Sequence, residues 1–292
     1  MVDFTNIKIA ELETCVCPLC GAGGTESKIY KKDPFKVVCC EECAVWYLSP
    51  RLTESRIEQL YLEDSYFESS DGGYEDYSSQ EESLRRTFRG LLNRMHTLGM
   101  TGGRLLEVGC GYGYFLREAE PYFDSRAGCE MSSGGAERAK HHADEVFIGG
   151  IEALRPGLQF DCVVALHVIE HIYHPKEFLL KIMDHLGPGG RLILSAPDMN
   201  GFWRKLMGNK WPSFKFPEHV VFYDSSSLGS LMRGVGLMEV EETPYLHAFP
   251  MNHILKTLKI PAPQFLAPVN VWLPATTVTV SGRKAASARA AA

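Results

Sequence analysis

Three groups of residues in this chain have the types and spacing to do chemistry. The first is Cys17-Pro18-Leu19-Cys20 together with Cys40-Glu41-Glu42-Cys43, two C-x2-C pairs with 19 residues between them. Thiolates are soft ligands, and two intervening residues let both sulfurs of a pair face one ion. Cys17, Cys20, Cys40 and Cys43 therefore read as a four-thiolate structural zinc site, with Cys39 as an alternative to Cys40. The second group is Glu107-Val108-Gly109-Cys110-Gly111-Tyr112-Gly113, which follows the apolar pair Leu105-Leu106. It reads as a buried strand, a tight glycine turn and a helix start. Such a turn brings backbone into contact with a ligand and offers free N–H groups to an anion. The third group is His167, His171 and His219, side chains able to exchange a proton near neutral pH.

The elements that must hold these residues follow from pattern. Residues 1–50 carry the cysteines and little else to form a core, so metal binding is expected to stabilise a small zinc ribbon there. Residues 51–100 read as two helices around a polar, tyrosine-rich loop. They are expected to act as a lid or as a packing linker, with Tyr74 and Tyr77 as the lid residues to test. Residues 101–245 alternate strand and helix, the pattern of a parallel sheet. Strands are expected at 104–108, 125–130, 145–148, 160–168 and 191–197, with two more at 237–244 and about 275–282. Helices are expected at 113–120, from Ser132 to about His142, at 175–186, closed by Gly187-Pro188-Gly189-Gly190, and at 225–236. Residues 246–292 read as an apolar insertion, a last strand and a basic, alanine-rich tail.

Composition narrows the function. The chain has 292 residues, 45% apolar and 23% charged, with a net charge of −6, which fits a globular protein. The first 100 residues hold 11 basic and 17 acidic side chains, so no basic stripe is available for a phosphate backbone. Nucleic acid is therefore not expected as a partner. No apolar run approaches the roughly 18 residues that span a bilayer. Nine cysteines, three of them scattered through the core region, suit a reducing cytoplasm.

The glycine spacing departs from the dinucleotide pattern G-x-G-x-x-G, because Tyr114 stands at the third position. An acidic residue two before the first of three alternate glycines instead resembles motif I of the class I S-adenosylmethionine (SAM) methyltransferases. The stretch Phe160 to Asp198 resembles the later motifs of that family, and the similarity runs over about residues 100–245. The branch it looks most like is the ubiquinone-pathway O-methyltransferase type, which acts on small molecules. The resemblance implies an α/β fold, a Rossmann-like seven-stranded methyltransferase sheet. Here that sheet follows a small N-terminal zinc ribbon. The resemblance also implies SAM as cofactor. Glu130 would then hold the ribose hydroxyls, with Met131 beside it, and Glu107, Gly109, Gly111 and Gly113 would form the methionine end. Ile151 and Glu152 would pack adenine, and His167 and Tyr77 would close the cofactor site. In that branch a Glu followed by Glu-His has been assigned to a divalent metal; here the positions are His167, Glu170 and His171.

Taken together, the expected activity is methyl transfer to a small-molecule acceptor, a sugar or an aromatic or polyketide metabolite, most simply at oxygen. A hydroxyl acceptor needs a base. His219 is the first choice, ahead of His171 and His167, because it lies in the insertion after residue 197, the expected acceptor wall. An RNA methyltransferase gripping RNA through the ribbon, and a non-catalytic SAM-binding regulator, are the alternatives. A homodimer is left open.

Overall fold

The computed structural model describes residues 9–23, 26–62, 80–257 and 269–286. The chain opens with β1 (Leu12–Glu13), β2 (Glu26–Lys32), β3 (Phe35–Cys40), β4 (Trp46–Leu48) and β5 (Arg51–Leu52). β2, β3 and β4 form an antiparallel meander, and β1 pairs with β5. Two helices follow, α1 (Glu54–Leu62) and α2 (Glu81–Thr97). One face of α2 buries Thr87, Phe88, Leu91, Leu92 and Met95, the spacing of an apolar stripe. That face packs on the core, with Phe88 edge-on to Phe115 at 5.6 Å. Of the proposed lid, α2 is thus a packing helix; Tyr74 and Tyr77 lie outside the described residues.

The remaining elements alternate as β6 (Arg104–Val108), α3 (Tyr114–Glu118), β7 (Ser125–Glu130), α4 (Ser133–Ala139), β8 (Glu145–Ile148), β9 (Phe160–Leu166), α5 (Pro175–His185) and β10 (Leu186–Pro197). Then come α6 (Phe202–Met207), β11 (Val221–Phe222), α7 (Ser225–Gly234), β12 (Met238–Glu242), β13 (His247–Pro250), α8 (Met251–Thr257), β14 (Asn270–Leu273) and β15 (Thr277–Arg283). Seven of these strands form one sheet in the order β12-β15-β10-β9-β6-β7-β8. The run from β10 to β8 is parallel. Its central strands β6, β9 and β10 carry apolar runs because helices cover both faces: Leu105, Leu106, Val163, Val164 and Ile193 are all fully buried.

β15 departs from the parallel pattern and runs antiparallel to both β10 and β12. The chain therefore leaves β12 and enters β15 at the carboxyl end of the parallel strands, where open α/β sheets bind ligands. There β13 pairs with β14, and the Ala248 N–H donates to Thr87 Oγ1 on α2 at 2.9 Å. A second difference concerns Gly187-Pro188-Gly189-Gly190. The sequence places a helix end there and the strand start at Arg191. In the structure β10 starts directly after α5, and these residues form a bulge where pairing with β9 slips between Leu186 and Arg191. Gly189 takes the left-handed conformation the bulge needs, at φ +76°.

β11 is the fourth strand of the N-terminal sheet, whose order is β11-β4-β3-β2. The cysteine-bearing segment is thereby sewn to the chain just after His219. Tyr173 adds a second stitch: its hydroxyl donates to the Leu52 carbonyl at 2.9 Å, and the Arg51 guanidinium lies over its ring at 4.1 Å. Among the described residues no helix is long and apolar enough to cross a membrane.

Gly113 closes the glycine turn at φ +77°, and a Cβ there would sit 2.9 Å from the Ala139 Cα of α4. Gly113→Ala should destabilise the fold by about 2–4 kcal/mol, from left-handed strain plus displacement of α4. Urea unfolding would show a lower midpoint at unchanged slope; an unchanged midpoint would refute this packing.

Candidate functional site

The glycine turn leaves β6 at the carboxyl end of the sheet. Gly109, Gly111 and Gly113 all have positive φ, +73°, +53° and +77°. At Gly109 a Cβ would lie 2.6 Å from Val168 Cγ2, so the turn presses against the chain just past β9. Glu130, the last residue of β7, braces two turns at once. It accepts the Gly111 N–H at 2.8 Å on one carboxylate oxygen and the Ser132 N–H at 2.9 Å on the other. Ser132 in turn caps α4 by accepting the Gly135 N–H. A carboxylate has about four acceptor positions, and these two backbone donors take one on each oxygen. α3 is shorter than the 113–120 read from sequence, only five residues, and offers an anion little dipole field.

Glu107 is 4% exposed, and its Oε2 has no hydrogen-bond partner among the described residues. Burial, reinforced by the Glu130 charge, raises its pKa well above the usual carboxylate range. Such a group gains from a cationic or donor group placed against it. Nearby, Ile151 is buried while Met131 is 64% exposed, a large apolar side chain left open beside Glu130. A Cβ on Gly150 would approach both Glu152 Oε2 and Met131 Sδ, at 2.6 and 3.6 Å, so Met131 and Glu152 share this corner. Glu152 is paired with Lys181 at 2.7 Å. Partial burial opposes its charge, but the Lys181 hydrogen bond lowers its pKa overall.

The histidines gather where β9 ends. His167 is the first residue past that strand and adopts φ +57°, a strained conformation for a non-glycine residue. Its Nδ1 lies 3.3 Å from Glu170 Oε1, and its side chain is 40% exposed. Glu170 itself is fully enclosed. Burial disfavours its charge, but the contact with His167 and the fields of His167, His171 and His219 hold its pKa at about 2. The His171 and His219 rings meet edge-on at 4.7 Å. His219 Nδ1 lies 2.9 Å from the Ser213 carbonyl, and burial drives its pKa down to about 3. Candidate ligand atoms of Glu170, His171 and His219 all lie within 4.8 Å of one another. This O/N/N set could hold a divalent transition metal. The structure thus groups Glu170 and His171 with His219, while His167 stands on the open side.

His247 is a member of this cluster that the sequence reading missed. Its ring stands edge-on to His167 at 5.9 Å, and its Nε2 is 2.9 Å from Thr277 Oγ1. No local pattern marks it, because its position depends on β13 pairing with β14 and on β15 closing the sheet.

The four cysteines form a separate centre. Cys17 and Cys43 sulfurs are 3.4 Å apart, Cys20 and Cys40 sulfurs 3.7 Å, and all four lie within 4.8 Å. A tetrahedral zinc with sulfur at about 2.3 Å sets the sulfurs about 3.8 Å apart, so the donor set fits. The two knuckles repeat one geometry. Each first cysteine accepts from the N–H four residues on (Gly21, Ala44) and donates to the carbonyl five residues on (Ala22, Val45). Gly21 and Ala44 both have positive φ, +76° and +60°. Burial pushes the Cys17 thiol up to about 11. At Cys40 burial is outweighed by N–H donors from Cys43 and Glu42, which hold it at about 7. Cys39, the alternative ligand, turns its thiol to the Ala44 carbonyl instead.

His247 supplies a pH test. Desolvation, with a smaller contribution from His167, lowers its pKa to about 3. The unfolded value is about 6.5, so between the two the unfolded chain binds more protons and stability is lost as pH falls. From about pH 6.5 to pH 5 the loss from this group should be on the order of 2 kcal/mol. The stability difference between parent and His247→Gln should shrink by that amount over that range. A pH-independent difference would rule it out.

Comparison with known proteins places this geometry. The chain is 32% identical over 105 residues to the mitochondrial ubiquinone biosynthesis O-methyltransferase of Schizosaccharomyces pombe, covering 33% of this chain and 38% of that one. It is 30% identical over 162 residues to the ubiquinone biosynthesis O-methyltransferase of Cereibacter sphaeroides, covering 49% of this chain and 64% of that one. The chain therefore spans less than two thirds of the length of these relatives. In structure it is similar to a SAM-dependent methyltransferase from Thermotoga maritima, with a TM-score of 0.52 and 22% identity over 72% of this chain and 95% of that one, a likeness of fold. A model of the methyltransferase domain matches residues 80–242, more than half of the sequence, and the chain belongs to the methyltransferase domain family.

Proposed function

We infer that the protein is a SAM-dependent methyltransferase acting on a small-molecule acceptor. The observation that carries this reading is the glycine turn set between two buried carboxylates, Glu107 and Glu130, at the carboxyl end of the parallel strands. The donor and acceptor types match SAM part by part. Glu107 faces the need of an ammonium group, and Glu130 that of the ribose hydroxyls. The open Met131 and the buried Ile151 give adenine an apolar corner, with Glu152 at its edge.

Methyl transfer from a sulfonium is an in-line displacement with a good leaving group. Alignment and exclusion of water supply most of the acceleration. In this chain the β13–β14 pair, whose Ala248 N–H is tied to Thr87 of α2, would do the excluding. A sugar or phenolic hydroxyl acceptor would also need a base. We assign that role to His167 rather than to His219. His167 is the more open of the two and is oriented by the ionised Glu170, whereas His219 is enclosed and its Nδ1 is engaged with Ser213.

Calorimetry with SAM tests the cofactor assignment. Glu130→Ala should weaken binding by about 1–3 kcal/mol, the range for hydrogen bonds to a charged group. Gly111→Val should abolish binding, since φ +53° strains a branched side chain. With a hydroxyl acceptor, His167→Ala should keep SAM affinity and lose roughly 10²–10⁴-fold in kcat. Unchanged SAM affinity in both of the first two variants would sink the reading.

The cysteine centre is assigned to structural zinc. Metal analysis should find about one zinc per chain, and Cys20→Ser should lose the metal and several kcal/mol of stability. Full metal occupancy in that variant would disprove the assignment.

A further inference from the structure

A cavity of about 320 Å³ lies between β2 and the segment that follows α6, apart from the glycine turn, the carboxylates and the histidines. Its walls are aromatic. Tyr30 from β2 meets Phe214 at 5.4 Å, Trp211 stands edge-on to Phe214 at 5.2 Å, and Phe216 stacks on Phe214 at 5.9 Å. The Tyr30 ring is fixed from behind. Arg204 places its guanidinium 4.7 Å from the ring centroid and donates from Nη2 to the Tyr30 hydroxyl. The same guanidinium lies 5.4 Å from the Trp46 ring, so the aromatic wall is ordered without a ligand.

At the rim stand Lys31 and Lys210, both exposed, and neither forms an ion pair with a described residue. Among the described residues no Asp or Glu lines the cavity, although the chain as a whole carries −6. Aromatic faces attract either a flat ring or a cation. Two lysines at the rim repel a cation and favour an anion. The volume is at the small end of ligand pockets, which suits one or two rings rather than an extended cofactor.

We propose that this cavity binds a planar ring bearing an anionic group. An aromatic carboxylate and a nucleoside diphosphate share that chemistry. Binding here would be felt at the histidines. The wall residue Phe214 adjoins Ser213, whose carbonyl holds His219, and Phe214 also packs on Phe222 at 5.5 Å. The site shares no residue with the SAM assignment, so the two stand or fall separately.

Titration of the full chain, followed by tryptophan fluorescence and calorimetry, tests the proposal. The probes are benzoate and uridine diphosphate, with phenol, uridine and inorganic pyrophosphate as controls. Benzoate or uridine diphosphate should bind at least ~10-fold tighter than its neutral counterpart and than pyrophosphate, and the preferred probe identifies the source of the ring. The Lys31→Gln/Lys210→Gln double variant, altered only at exposed positions, should lose about 10-fold or more of that affinity. Tyr30→Leu should weaken the same probe, and the urea-unfolding midpoint of each variant checks that its fold is intact. Three outcomes would overturn the proposal: no binding of either probe to roughly 10 mM, pyrophosphate or the neutral rings binding equally well, or a double variant that binds like the parent.

Discussion

The peptide of Val220 holds the two halves of this structure together. Its N–H donates to the Glu170 carbonyl at 2.8 Å, and its carbonyl accepts the Leu48 N–H at 2.9 Å. On one side lies the turn after β9 with the buried carboxylate; on the other lies β4, paired to the strand that carries Cys40. β11 continues the same contact through Val221 against Tyr47 and Phe222 against Trp46. His219 immediately precedes this peptide, so its ring position depends on the N-terminal sheet. That sheet is itself buried against the main core through Phe35, Val37, Val38, Tyr47 and Leu48. A metal held by the four cysteines would add to that packing by tying the two knuckles together.

What could be read from the sequence was what depends on near neighbours. The central parallel strands carry apolar runs such as Val163–Leu166 and Leu192–Leu194, bounded by turn residues. The glycine turn is marked by three glycines that each need positive φ, and each metal knuckle by a pair two residues apart. The rest depends on partners far along the chain. Val221–Phe222 is too short to signal a strand, and its partner β4 lies more than 170 residues earlier. The antiparallel direction of β15 follows from the chain leaving β12 and entering β15 at the same end of the sheet. His247 becomes part of the site only because of that connection. Gly187–Gly190 read as a helix stop because glycine marks helix ends as readily as bulges.

Glu107 and Glu170 show why residue type alone does not assign a role. Both are buried carboxylates with one oxygen lacking a hydrogen-bond partner among the described residues. Glu107 faces Glu130, so burial and like charge act together and favour its neutral form. Glu170 faces His167, and the hydrogen bond and charge interaction there, with smaller contributions from His171 and His219, outweigh burial and lower its pKa to about 2. The first is poised for a ligand to supply positive charge. The second already acts on the protein, orienting His167 against a backbone conformation that costs about 1–2 kcal/mol.

That distribution of charge bears on the proposed chemistry. A sulfonium cofactor brings a fixed positive charge to the carboxyl end of β9. Protonated imidazoles there would repel it, and burial keeps His219 and His247 neutral down to pH values near 3. His167 differs because its side chain reaches solvent and its partner is an anion. It stands on the open side of the cluster, with its Nδ1 3.3 Å from Glu170 Oε1. If SAM bound at the glycine turn supplies the methyl group, the proton of a hydroxyl acceptor would pass to His167, whose Nδ1 faces Glu170 Oε1.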